Sequence, residues 1–155
     1  MKNTRDVALD VIKDVLERFA FMFTETEGEA LTFPAGDDPL RATIRFQGKV
    51  CGVLTVVAPK SLCQEMAANV LGMDPAEIGE TAAEDALKEL INIICGTLTW
   101  SLYGEREVFH LSVPVVARFD VNQAADLAIG ENNIALMIEN RPVVARLQLI
   151  EDPHP

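Results

Sequence analysis

The residue types best suited to chemistry stand close together in one segment of the chain, from Asp85 to Gly96. At about 100° per residue in an α-helix, four residues form one narrow polar stripe: Asp85, Glu89, Asn92 and Gly96. The opposite arc is apolar and consists of Leu87, Leu90, Ile91, Ile94 and Leu98. Asn costs about 0.5 kcal/mol relative to Ala inside a helix, and like charges four residues apart also weaken a helix. Helix stability alone does not account for the polar stripe, which we expect to face water or a partner.

The pattern of Asp85, Glu89 and Asn92, with Pro114 further along the chain, resembles the signature of the CheC/CheX/FliY family of chemotaxis phosphatases. Members of that family hydrolyse the aspartyl-phosphate of the response regulator CheY. Glu-x-x-Asn alone is a short motif, and Pro114 lies one residue closer to the asparagine than the family pattern has it. The layout of the whole chain adds to the likeness. With a single complete site, the chain is more similar to CheX than to CheC.

The resemblance implies a role for each residue of the polar stripe. Asn92 is the candidate for orienting the attacking water, because a carboxamide can accept a hydrogen bond from water and donate another to a phosphoryl oxygen. Glu89 would pair with the active-site lysine of the regulator, Asp85 would extend this acidic edge, and Gly96 would leave room for the partner. The chain would need no cofactor or metal of its own, since Mg²⁺ would be held by the carboxylates of the regulator.

Each of these residues also has a simpler interpretation. Most Glu and Asn residues on the polar side of a helix are only solvated. Pro114 could simply mark a bulge or an edge position of its strand. Lys88 could be only an ion-pair partner of Asp85. Two classes of function therefore stay open: an aspartyl-phosphate phosphatase, or a non-catalytic receiver-binding module like the flagellar switch protein FliM, which has a related fold. The carboxamide of Asn92 favours the phosphatase, because docking alone does not need it.

The composition limits what the chain can bind. Its 155 residues, 49% of them hydrophobic, suit a single domain over residues 1–155. A net charge of −11 argues against nucleic acid and anionic membrane surfaces as partners. No apolar run approaches the roughly 20 residues of a membrane helix, and the charged start lacks the apolar segment of a secretory signal, so we expect a cytoplasmic protein. Three cysteines without CxxC spacing and two histidines argue against a disulfide framework, a zinc site and a histidine-based mechanism.

Hydrophobic periodicity predicts an α+β fold with a mainly antiparallel sheet. Helices are predicted over residues 4 to about 25, over 62–71, and from Thr81 to near Gly104. Strands are predicted over residues 40–47, 50–58, 109–119, 133–138 and 143–150, the first two and the last two pairing as hairpins. The polar turn of the last hairpin ends in Pro142, which suits the edge of a sheet.

Local signals predict where the second and third helices begin and end. Ser61 with Gln64, and Thr81 with Glu84, each have the spacing of a capping box. Gly72 suits the end of the second helix, because glycine readily adopts the left-handed conformation found there.

The two halves of the chain, about 1–72 and 81–150, follow one plan of long helix, short extended segment and hairpin. A shift of 75 residues places Glu17 at the position of Asn92 and Phe21 at that of Gly96. Glu17 has no amide donor and Phe21 would obstruct a partner, so the first copy is expected to be inactive. The plan predicts a pseudo-two-fold duplicated domain with two long helices packed on an extended sheet. The CheC/CheX family is known for such a fold, and the resemblance also implies a homodimer.

Overall fold

The computed structural model describes residues 3–27, 33–120, 122–123 and 133–150. The helices are α1 (Thr4–Ala20), α2 (Lys60–Leu71) and α3 (Glu80–Tyr103), with a 3₁₀ turn over Pro75–Glu77. The strands are β1 (Thr24–Glu27), β2 (Pro39–Gln47), β3 (Cys51–Pro59), β4 (His110–Leu111), β5 (Val115–Arg118), β6 (Asn133–Ile138) and β7 (Arg141–Ile150). The predicted α+β class is confirmed.

The strands form one antiparallel sheet in the order β1-β6-β7-β3-β2, and β4 and β5 both pair with the outer side of β2. The two predicted hairpins are confirmed as β2 with β3 and β6 with β7. They lie side by side through the pairing of β3 with β7. An antiparallel sheet of this kind can pack on helices with one face and stay more open on the other.

Alternation along the strands decides which face meets the helices. On β2, Leu40, Ala42, Ile44 and Phe46 are fully buried, and they join one large core with the apolar sides of the three helices. A smaller cluster of Phe33, Val57 and Val144 covers part of the opposite face. The hydrophobic periodicity of the sequence therefore predicts correctly which faces of the helices and strands pack together, because burial of each apolar face drives the packing.

The first helix is shorter than predicted, since it ends at Ala20 rather than near residue 25. Phe21 follows it in the left-handed conformation, with φ 56°, and the N–H groups of Phe21 and Met22 both donate to the carbonyl of Leu16. This is a helix-ending arrangement usually made by glycine. Phe23, which lies within the range predicted for this helix, is 68% exposed.

Both predicted capping boxes are wrong, although the helices themselves are confirmed. Helix α2 begins at Lys60, and the hydroxyl and N–H of Ser61 both donate to the carboxylate of Asp37, which lies in the loop before β2. Helix α3 begins at Glu80 after Gly79 and has no side-chain cap. A more distant carboxylate thus replaces the local cap at α2. Gly72 ends α2 with φ 69°, as predicted.

The strand predicted over 109–119 is broken into β4 and β5 by Ser112, Val113 and Pro114. The edge position predicted for the last hairpin is also wrong, because β7 lies between β6 and β3. Pro142 is tolerated there since β7 pairs with β3 only from Val144 onward, so its missing N–H costs no bond to β3.

The element order of helix, short strand and hairpin occurs twice, but the two helices are unequal, with 17 residues in α1 and 24 in α3. Residue Phe21, aligned with Gly96 of α3, lies beyond the end of α1. The internal duplication and the single domain over 1–155 stay predictions.

Candidate active site

The polar stripe lies on the solvent side of α3, as predicted. Asp85, Glu89 and Asn92 are exposed. The opposite arc is buried, with Leu87 and Ile91 fully covered and Leu90, Ile94 and Leu98 at 1% exposure. Core packing therefore fixes the rotation of the helix and aims the polar side chains outward.

The polar side chains of the stripe are not used to hold the fold together. Within the residues that the structure describes, Asp85, Glu89 and Asn92 make no side-chain hydrogen bond or ion pair, and Lys88 does not pair with Asp85. The carboxylates and the carboxamide are thus hydrated in the free protein. A partner could bind these groups by displacing water, without breaking a contact within the described part of the chain.

Pro114 lies beside the stripe. An open depression of about 440 Å³ separates α3 from the segment that interrupts the edge strand, and its lining includes Asp85, Lys88, Glu89, Asn92, Leu111, Ser112, Val113 and Pro114. The segment is held to β2 by two bonds: the N–H of Ser112 donates to the carbonyl of Arg45 at 2.8 Å, and the N–H of Arg45 donates to the Ser112 hydroxyl at 2.9 Å. Pro114, which has no N–H to donate, suits such an interruption.

The structure thus brings together four of the predicted residues, Asp85, Glu89, Asn92 and Pro114, around one depression. It also adds three that the sequence analysis missed, Leu111, Ser112 and Val113. Val113 is 84% exposed, the most exposed of the large apolar residues described. Ser112, Val113 and Pro114 form one wall of the depression. The break that these residues make in the strand pattern was the signal that could have revealed this wall.

Gly96, one turn beyond Asn92, is half-buried. A Cβ built on it would lie 4.0 Å from Cδ1 of Leu111, an ordinary van der Waals contact. The space beside Gly96 is therefore partly bounded by the chain's own β4, and an alanine would fit. The predicted role of Gly96 in partner binding stays a prediction.

Both ends of α3 are fastened to the same edge of the sheet. At its start, Glu80 accepts hydrogen bonds from Arg118 of β5, the shorter at 2.6 Å, and this guanidinium lowers the pKa of the Glu80 carboxyl. At its end, the Tyr103 ring lies 5.3 Å from that of Phe109, which meets Phe46 of β2 edge-on at 6.0 Å. These contacts join α3 to the chain on both sides of Ser112–Pro114, the segment that forms the other wall of the depression.

The described part of the chain holds no group of three or more His, Cys, Asp or Glu side chains placed to bind a metal ion. Burial raises the pKa of the Cys63 and Cys95 thiols to about 12, so neither is a thiolate near neutral pH. Over the same residues, no helix combines the length and apolar character needed to cross a membrane.

Comparison with known proteins gives a consistent result. The family model described as "Chemotaxis phosphatase CheX" matches residues 40–127, more than half of the chain, a range that includes the polar stripe and Pro114. A search of curated proteins found no match.

Solved structures of this family have a similar fold. The chemotaxis protein CheX of Desulfovibrio desulfuricans is 16% identical with a TM-score of 0.69, over 95% of this chain and 99% of that chain. The CheX of a CheX-CheY-BeF3-Mg complex from Borrelia burgdorferi is 16% identical with a TM-score of 0.67, over 96% and 99%. FliY of Thermotoga maritima is 15% identical with a TM-score of 0.56, over 96% and 86%. At these identities the likeness shows the fold alone.

Proposed function

This chain belongs to the CheX family of chemotaxis phosphatases, and on that premise we propose that it hydrolyses the aspartyl-phosphate of a CheY-type response regulator. The observation that carries the proposal is the exposed pair of Glu89 and Asn92, which has no partner among the described residues and borders an open depression. An unpaired Asn in the middle of a helix costs about 0.5 kcal/mol relative to Ala, so helix stability does not account for Asn92.

In the proposed reaction, water attacks the phosphorus in line with the bond to the receiver's aspartate. The P–O bond to that aspartate breaks, which leaves a carboxylate on the receiver and releases inorganic phosphate. Phosphoryl transfer of this kind passes through a loose transition state, so positioning and charge placement supply most of the catalysis. Asn92 would accept a hydrogen bond from the water through its oxygen and donate to a phosphoryl oxygen through its NH₂. It is not basic enough to act as a general base.

Glu89 has a different part in the proposal. It lies one turn before Asn92, about 5 to 6 Å away between Cβ atoms, and would pair with the lysine of the receiver's active site. Asp85 would extend this acidic edge by a further turn. Such pairing would hold the receiver so that the Asn92 side chain enters the phosphorylated site. Because this chain has a net charge of −11, local pairing has more weight in this proposal than long-range attraction to an acidic partner.

The metal in this proposal is Mg²⁺ carried by the receiver. The CheX structure from Borrelia burgdorferi is a complex with CheY, BeF3 and Mg, and beryllofluoride is a common mimic of a phosphoryl group. The chain would then contribute a water-positioning amide and an anchoring carboxylate, and the receiver would contribute the metal and the reacting group. We also propose that the protein works in the cytoplasm as a homodimer, as the family resemblance implies.

The first half of the chain would provide no second site. Glu17 stands where the alignment requires Asn92, and the helix that carries it ends at Ala20, before a counterpart of Gly96. One active site per chain is therefore proposed.

The alternative function is a receiver-binding module that does not catalyse hydrolysis, as in FliM. The two functions separate in one assay. Catalytic amounts of the protein are added to CheY-type receivers of the same organism, phosphorylated beforehand and freed of phosphodonor, and phosphate release is followed. Many phosphates released per chain would support the phosphatase. Binding of a receiver without faster phosphate release would refute it and support the alternative.

A further inference from the structure

A second depression lies along the other flank of the polar stripe. It is an apolar groove of about 260 Å³ between α3 and the C-terminal parts of α1 and α2. Its apolar lining consists of Phe19, Ala67, Val70, Leu71, Ala82 and Ala86. Asp85 and Glu89 line this groove as well as the depression beside Pro114. The two carboxylates therefore stand on a ridge between two depressions.

Two residues of the groove, and two that follow the ends of α1 and α2, are unusually exposed for their type. Val70 is 43% exposed, Leu71 57% and Met73, just after the end of α2, 44%. Phe21 is 63% exposed and follows Ala20, whose carbonyl accepts a 2.9 Å hydrogen bond from the Asn69 amide of α2. Large apolar side chains thus gather on the surface where α1 and α2 end. Exposed apolar surface rimmed by charge is typical of a protein interaction site.

We propose that this groove is part of the docking surface for the receiver, and that it takes an apolar side chain lying next to a lysine or arginine of that receiver. The proposal rests on the proposed function. Its support is continuity and charge: a receiver paired with Glu89 necessarily covers a wall of the groove, and the two charged residues that line it are both acidic. A second copy packed groove to groove fits less well, because it would bring its own Asp85 and Glu89 against the same two carboxylates.

The first test removes apolar surface from the groove without touching the polar stripe. The double variant Val70→Ala/Leu71→Ala is compared with Leu149→Ala/Ile150→Ala, a control pair of similar exposure, 50% and 44%, at the end of β7. Affinity is measured by calorimetry for the receiver loaded with Mg²⁺ and beryllofluoride, and kcat and KM for the phosphorylated receiver. We expect the groove variant to raise Kd and KM about ten- to thirtyfold with kcat unchanged, and the control pair to change neither.

The second test fills the groove instead. Ala82→Phe places a ring over the same space from the α3 side, and should also raise KM at unchanged kcat. Unchanged Kd and KM in both variants would overturn the groove proposal. Weaker self-association in sedimentation with unchanged receiver affinity would also overturn it, in favour of a second copy. Neither result touches the proposed function, which fails separately if Asn92→Ala leaves kcat unaltered.

Discussion

Replacing Asn92 by alanine gives activity and stability changes of opposite sign if the amide positions water. The side chain is exposed and has no partner among the described residues, so its removal leaves no buried group unsatisfied. Alanine is a better helix former by about 0.5 kcal/mol. For a domain of this size, that gain corresponds to a melting temperature higher by about 1 to 2 °C. Loss of one positioned polar group from a catalytic site typically lowers turnover by about 10² to 10³-fold.

The assay measures phosphate release from the phosphorylated receiver under saturating conditions, with thermal melting of the same preparations. Asn69→Ala is a matched control, since it removes the same functional group from a helix. The Asn69 amide donates to the Ala20 carbonyl at 2.9 Å, so its loss should cost stability, by about 0.5 to 1 kcal/mol after the helix-propensity gain. Turnover of that variant at saturation should stay at the wild-type value.

Three results would contradict this reasoning. Wild-type turnover in Asn92→Ala would remove the amide from the mechanism and leave a docking module. A melting temperature that falls in parallel with activity would mean that Asn92 supports the fold, contrary to its exposed position. A change in KM alone would place Asn92 in binding rather than in the chemical step.

Other variants test the neighbouring positions. Glu89→Ala should raise the Kd for the beryllofluoride-loaded receiver as well as lower turnover, because it removes a charge-assisted contact; calorimetry checks this, and unchanged affinity would exclude the lysine pairing. Gly96→Ala should raise the free energy of unfolding by up to about 1 kcal/mol, since the added methyl meets no clash. If a partner approaches at Gly96, the same variant should raise KM. A wild-type KM would remove Gly96 from the interface. In the native protein, Ellman's reagent should modify the half-buried Cys51 and spare the buried Cys63 and Cys95, whose thiol pKa is raised to about 12. All three thiols should react after unfolding. Rapid reaction of Cys63 or Cys95 in the native protein would contradict the packing of the core.

The sequence could predict those parts of the fold that follow from local periodicity. Alternation over 40–47 determined both the strand and its buried face, because the side-chain period of a strand is two and one face meets the helices. The apolar arc of α3 likewise fixed which side faces water, and with it the exposure of Asn92. The family resemblance, now matched by the family model, came from the same helix.

What the sequence could not predict depends on contacts between distant residues. Ser61 has a good local capping pattern, but Asp37 from an earlier loop binds its hydroxyl and N–H. The break at Ser112 depends on Arg45, which lies 67 residues earlier and exchanges two hydrogen bonds with it. The groove likewise arises only where three separate helices meet. Helix propensity and residue spacing contain no information on such long-range contacts, because tertiary packing determines them.

The way in which the site is built explains why its proposed substrate is a protein rather than a small phosphorylated compound. Glu89 and Asn92 lie one turn apart on a helix whose rotation is fixed by its buried apolar arc. Neither side chain has a partner among the described residues, and a positioning amide alone supplies only part of a phosphoryl transfer. In the proposed reaction, the metal and the reacting carboxylate would come with the receiver, already aligned. Because Glu89 faces both depressions, binding the receiver and aligning the amide become one event, and a small acyl phosphate that covers neither depression would gain no such alignment.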